Sequence, residues 1–300
     1  MSTSIVSWPG PQALVEAFLA GRSPHTLLAY RRDLGDFALF VGAGDAETAA
    51  RLLVEHGHGE ANALALSYRA HLVDRGLQAA TVNRHLAALR SVVAFARTLG
   101  LVPWSLEVPN LKAQAYRDTR GPGRDGFRAM LAAASNERDH AILRLLHDLA
   151  LRRGELVGLD LADVDLEGGA VWVLGKGRSA QERLTLPEPT RAALASWITV
   201  RGPAPGPLFI NFDRARQGNG RLTGTAVWKI VRRLGLEAGL TARPHGLRHS
   251  GITLALDITR GDVRGVQKFS RHRDLRILTV YDDNRRDLAG DIARLVAAAA

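Results

Sequence analysis

A chain of 300 residues that is 46% hydrophobic and 23% charged has the composition of a globular protein with room for two domains of ordinary size. It contains no cysteine, which removes disulfides and thiolate metal sites, and no apolar run approaches the roughly 20 residues that span a bilayer. The formal charge of +10 is unevenly placed: residues 1–115 carry 10 basic and 9 acidic side chains, and residues 116–300 carry 30 and 21. A surplus gathered in one part of the chain points to a polyanionic partner such as nucleic acid.

The opening MSTSIVSWPG has no basic segment followed by an apolar one, so the chain reads as cytoplasmic. After GRSP, Ser23 suits a helix cap and Pro24 a first turn, and Leu27, Tyr30, Leu34, Phe37 and Val41 recur at helical spacing. NALALSYRAHLVDRG predicts another helix ended by glycine. A further helix follows in TVNRHLAALRSVVAFARTLG, with a stripe of Val82, Leu86, Leu89, Val93 and Ala96 and a stop at Gly100. EHGHGE at 55–60 reads as a flexible polar loop. Residues 101–123 hold three prolines and no periodicity, the composition of an extended linker. These features predict a helical domain over 1–108, a linker over 109–123 and a second domain over 124–300. In that second domain, VDLEGGAVWVLGKGRSAQERLTLP alternates around a Gly-Gly turn, which predicts a small antiparallel three-stranded sheet among helices. The fold class is therefore mainly α, with a helical N-terminal domain and a mixed α/β second domain.

Several polar residues in the second domain stand out. LALRRGELVGL sets Arg152 and Glu155 three apart, which by itself is an ordinary ion pair. Lys176 lies in the glycine-flanked LGKGR, which is no P-loop, because Ala170 and Gly177 stand where glycine and Ser or Thr are needed. RPHGLRHSGITLALD puts His245 and Arg248 on one helical face and turns Leu247, Ile252 and Leu256 toward a core. His245 and His249 do not make a zinc motif, since Gly246 stands where a glutamate is required, and no metal site is expected. His272 and Tyr281 follow, nine positions apart. A cationic cluster at the edge of a core asks for an anion.

In this order, Arg152, Lys176, His245 with Arg248, His272 and Tyr281 closely resemble the tyrosine recombinase or phage integrase family, lambda-integrase-like and Xer-type. That family carries G-L-R-x-x-E-L, a hairpin lysine, H-x-L-R-H, a later histidine and a tyrosine nucleophile. SPHTLLAYRRDLGDFALF and AATVNRHLAALRSVVAFARTLG are similar to the helices of its core-binding domain, so the resemblance covers nearly the whole chain. Two positions depart from the pattern: Ser270 and Arg271 stand where Leu-Gly is usual, and Gly154 replaces a frequent serine.

The resemblance implies a site-specific recombinase that cuts and rejoins double-stranded DNA. Arg152 and Arg248 would clamp the phosphate, His245 and His272 would donate hydrogen bonds or move protons, Lys176 would be the general acid, and Tyr281 would form a 3′-phosphotyrosyl link. It implies no cofactor and no membrane. It further implies nucleoid association, a homotetramer on paired sites, and a second recombinase or accessory protein as an open question. In the first domain, Asn83, Arg84 and Arg90 lie off the apolar stripe and are expected to contact DNA. The alternatives are a type IB topoisomerase, which shares the chemistry but relaxes a single duplex, and a non-catalytic DNA-binding regulator, for which the ordered set of six residues has no use.

Overall fold

The computed structural model describes residues 13–22, 24–112, 121–175, 178–211, 220–275, 278 and 288–299. The chain divides into two compact units, Met1–Arg117 and Asp118–Ala300.

The first unit is helical among its described residues: α1 (Leu14–Leu19), α2 (Pro24–Phe40), α3 (Ala46–Glu55), α4 (His58–Asp74) and α5 (Ala79–Thr98). Leu34 and Phe37 of α2 meet Leu53, Tyr68, Leu72, Leu86, Leu89 and Val93 in one core, so the 3.6-residue stripes seen in sequence are the packed faces. Asp45 caps α3 by accepting from the Thr48 N–H at 2.7 Å, and Gly100, at φ +75°, ends the turn after α5.

Two sequence expectations change here. Residues 55–60 are not a loop, since Glu55 closes α3 and His58 opens α4, and the His56 and Glu60 side chains are 2.9 Å apart. Residues 101–112 are extended but packed: Val102, Leu106 and Val108 are buried in the first core. Two α5 side chains fasten this stretch. Both polar atoms of the Asn83 amide bond the backbone of Leu111, at 2.9 and 2.8 Å, and Arg90 donates to the Val108 carbonyl at 2.7 Å.

The second unit opens with α6 (Gly123–Ala133), α7 (Glu137–Asp148) and the short α8 (Arg153–Gly158). A 3-10 turn at Leu161–Asp163 leads into β1 (Val164–Asp165), β2 (Ala170–Leu174) and β3 (Gln181–Thr185), an antiparallel sheet in sequential order with Val171 between Val164 and Leu184. Gly169, at φ +59°, supplies the left-handed residue of the first turn. The unit continues with α9 (Glu188–Arg201), α10 (Gly224–Glu237), α11 (Pro244–Ile258), α12 (Val263–Ser270) and α13 (Leu288–Ala298). Leu145 and Leu146 of α7, Trp197 of α9, Val231 and Leu234 of α10, and Leu247 of α11 build the core. Gly251 lets α11 approach α7 closely, because a Cβ there would sit 2.2 Å from the His147 carbonyl oxygen. That approach brings the end of α7 and the start of α8 beside the first turns of α11. No helix among the described residues is long and apolar enough to cross a membrane, and no cluster of three metal-ligating side chains occurs among them.

Candidate active site

Arg243 caps α11 and Pro244 occupies its first turn, where proline's fixed φ suits the helix and its missing N–H leaves no donor unmet. The three-residue spacing then puts His245 and Arg248 on the wall of one pocket of about 520 Å³. Leu151, Arg152, Arg153, Gly154, Trp228, Arg243, Pro244 and His272 complete its lining. Four arginines and two histidines converge there with no carboxylate among the lining residues. Such a surface favours an anion whose oxygens can accept forked hydrogen bonds.

Arg248 is 1% exposed. A guanidinium stays charged at any working pH, so its burial must be offset by acceptors. The carbonyl of Ala150 takes Nη1, and the carbonyl of Ser270 takes Nη2 at 2.5 Å. Ala150 has φ +46°, a left-handed turn after α7 that costs a non-glycine residue about 1 kcal/mol. The turn directs its carbonyl to Arg248 and also to Arg271, whose Nη2 donates to it at 3.0 Å.

Arg152 precedes α8 and is fixed by a residue one turn on. Its backbone N–H donates to Glu155 Oε2 at 2.8 Å and its Nη1 to Oε1 at 2.7 Å, while Nη2 reaches the Arg271 carbonyl at 3.3 Å. Burial alone would raise the Glu155 carboxyl, but the Arg152 N–H and the guanidiniums of Arg271 and Arg152 outweigh it and hold the group below the usual carboxylate value.

The histidines are lowered as well, which for an imidazole favours the neutral form. Burial, then Arg248, Arg152, His245 and Arg271, lower His272 to about 4. His245 reaches solvent, yet the pocket wall, then Arg248 and Arg152, lower it too. At neutral pH both rings are uncharged, able to exchange hydrogen bonds or protons, and the fixed positive charge is carried by arginine alone.

The structure thus brings together Arg152, His245, Arg248 and His272 of the residues expected from the sequence. Lys176 and Tyr281 lie outside the described residues. Asn83, Arg84 and Arg90 belong to the first unit and have partners within it: Leu111, Asp33 at 2.6 Å, and Val108 with Asn110. Sequence reasoning passed over Arg153 and Trp228, although Arg153 adjoins a residue it did select, and it gave no role to Arg243, two positions before His245. It noted Arg271 only as a departure from the family pattern.

Residues 125–287 match the model of the phage integrase family, and residues 17–100 match that of the phage integrase N-terminal SAM-like domain. A tyrosine recombinase of Synechococcus elongatus is 40% identical over 299 residues, covering 96% of this chain and 92% of the relative. One from Synechocystis sp. is 39% identical over 287 residues, 92% and 91% of the two chains. Tyrosine recombinase XerC of Pelobacter propionicus is 33% identical over 286 residues, 87% and 89%. Among solved structures, the Tn1549 transposon integrase in complex with transposon right end DNA aligns with a TM-score of 0.72 at 16% identity, over 95% of this chain and 99% of that one. A lambda integrase dimer bound to a COC′ core site aligns with a TM-score of 0.65 at 16% identity, over 90% and 77%. These two likenesses are of fold.

Proposed function

Since the chain belongs to the phage integrase family of tyrosine recombinases and is a site-specific DNA recombinase, we propose that the pocket at the start of α11 holds the scissile phosphate while a DNA strand is cut and rejoined. One observation carries this reading: a buried arginine, Arg248, and a half-exposed one, Arg152, face one cavity that has no carboxylate in its lining. Displacement at phosphorus by an oxygen nucleophile builds charge on the non-bridging oxygens, and preorganised cations stabilise it most where water is excluded.

In this reading Tyr281 is the nucleophile. Its phenolic oxygen forms the bond to phosphorus as the bond to the 5′-oxygen breaks, leaving a 3′-phosphotyrosyl link and a 5′-hydroxyl. The departing oxygen takes its proton from Lys176, and the phenol, with an ordinary pKa near 10, gives its proton to a neutral base, for which His245 and His272 are the candidates. Because the link conserves the energy of the broken ester, attack by the 5′-hydroxyl of another strand rejoins DNA without a nucleotide cofactor.

The partner is double-stranded DNA. The integrase relatives solved with DNA and the basic surplus of residues 116–300 support it. In the first unit α5 is the DNA-contacting helix, through Asn83, Arg84 and Arg90. Exchange between two duplexes calls for four protomers, and α13, whose Leu295 and Val296 are 71% and 65% exposed, is the element we assign to contact between them.

The test is to trap the full chain on the DNA of its host, recover the covalent adducts and sequence the junctions. Adducts at one recurring sequence, abolished in Tyr281→Phe while DNA binding persists, are the expected outcome. Adduct formation by Tyr281→Phe would remove that residue from the mechanism. A Lys176→Ala chain should be rescued by a substrate with sulfur at the 5′-bridging position, since a thiolate leaves without an acid.

A further inference from the structure

Arg271 stands at φ +57°, in the left-handed region, directly after α12. A long charged residue is a poor choice for that backbone, where glycine would be free of strain. Its side chain is 3% exposed and buried in the base of the pocket wall. There Nη1 donates to the carbonyls of Leu149 at 3.0 Å and Phe269 at 3.2 Å, and Nη2 donates to Ala150 at 3.0 Å and to Glu155 Oε2 at 3.1 Å. Three features of the phosphate pocket therefore meet on this one guanidinium. These are the left-handed Ala150 turn that also holds Arg248, the Glu155 carboxylate that also holds Arg152, and the Phe269 carbonyl near the end of α12, three residues before His272.

The charges matter as much as the geometry. Were Arg152 alone with Glu155, the pair would be neutral and the attraction of Arg152 for a phosphate largely spent on the carboxylate. With Arg271 bound to the other carboxylate oxygen, two guanidiniums share one negative charge.

We propose that Arg271 is a positioning residue of the phosphate pocket: it anchors the Ala150 turn and takes up part of the Glu155 charge, so that Arg248 is held in place and the positive charge of Arg152 is left for the phosphate. This rests on the pocket being the phosphate site. Arg271 does not line the cavity and touches no substrate. It acts through Arg152 and Arg248. Its location near His272 adds to the charges that keep that ring neutral, as the low value there reflects.

The test uses the full chain carrying Arg271→Gly, which suits the left-handed backbone, and Arg271→Lys, which keeps the charge without the fork. On a nicked suicide duplex bearing the recovered junction, Arg271→Gly should form the covalent adduct roughly 100-fold more slowly, as expected when a reacting group is misplaced by about 1 Å. Duplex affinity should stay within about twofold, since most phosphate contacts are untouched. Arg271→Lys should recover part of the rate. A wild-type rate in Arg271→Gly, or equal losses of binding and cleavage, would overturn the proposal.

A wild-type chain inactive on that duplex would instead count against the phosphate-site reading. The proposal is then read from inorganic phosphate alone. Phosphate should raise the melting temperature of the wild type and not of Arg271→Gly, and equal shifts in both chains would overturn it.

Discussion

Nη2 of Arg248 lies 3.2 Å from Nε2 of His272. A guanidinium can only donate, so Nε2 must accept, and the proton of the neutral ring sits on Nδ1. The rest of the chain agrees: Nδ1 is 2.9 Å from Ser270 Oγ, and that hydroxyl donates to the Gln267 carbonyl at 3.2 Å. The tautomer follows from this network, with Arg248 at one end and a backbone carbonyl at the other. A phosphate entering the pocket competes for the same guanidinium and offers acceptors to the imidazole.

That competition sets a pH dependence. The folded value of His272, about 4, lies below the ordinary imidazole value of about 6.5. Between those values the unfolded chain binds a proton that the folded chain refuses. The contribution to stability is therefore complete above about pH 6.5 and is lost as pH falls toward 4. A bound phosphate reverses part of the repulsion from Arg248 and Arg152. Titration of the ring by NMR should show His272 neutral at pH 7 and its midpoint raised on adding DNA. A midpoint near 6.5 in the free protein would contradict the closed network.

Arg152 and Arg248 should separate when each is changed to alanine. Both should lower the rate of adduct formation by about 10²- to 10³-fold, the usual cost of removing one preorganised donor, while duplex binding falls modestly. Stability divides them. Arg248→Ala strands the carbonyl of Ser270 in a buried place, at about 1–3 kcal/mol for a group left unpaired, while the Ala150 carbonyl keeps its bond from Arg271. Arg152→Ala leaves Glu155 still bonded to Arg271, so its melting curve should stay close to that of the wild type. Single-turnover kinetics and thermal melts on the same samples check both halves.

Much of this site was legible in the sequence, and the reason is local. Three-residue spacings such as Arg152 to Glu155 and His245 to Arg248 survive translation into helix faces, and the Gly-Gly turn sets the first hairpin of the sheet. What stayed hidden depends on distant pairing. Arg271 meets Glu155 across 116 positions, and its worth comes from the left-handed backbone at Ala150, which no periodicity announces. Residues 101–112 have the prolines of a linker, yet Val102, Leu106 and Val108 are held in a core by Asn83 and Arg90 from α5. Side chains on the outer face of α5 fasten an extended segment of the same unit.

The α5 residues should respond differently for that reason. Asp33 is 1% exposed and its carboxylate is gripped by Arg84, itself 40% exposed. Arg84→Ala should therefore cost about 1–3 kcal/mol through the buried charge left behind, and it should lower the salt dependence of DNA binding by about one unit for the phosphate lost. Asn83→Ala, which frees the Leu111 backbone and removes an uncharged contact, should destabilise the unit while leaving the salt slope unchanged. Binding isotherms at several salt concentrations distinguish the two. An unchanged slope in Arg84→Ala would remove that residue from the DNA interface.

The last helix bears on assembly. Leu295 and Val296 of α13 are 71% and 65% exposed, adjacent on an element that follows the Tyr281 segment in the chain. Exposing two large apolar side chains side by side is unfavourable unless something covers them, and a second copy of this chain is the occupant that strand exchange would bring close. Such a contact would tie the setting of Tyr281 to assembly and keep lone protomers inactive. Leu295→Asp with Val296→Asp should then leave single-site binding intact, abolish cooperative occupancy of paired sites and slow adduct formation. Deleting residues 288–300 should act in the same way. Gel-shift titrations on one-site and two-site duplexes report the cooperativity directly. If the doubly substituted chain assembles and recombines as the wild type does, α13 is not the element that couples protomers.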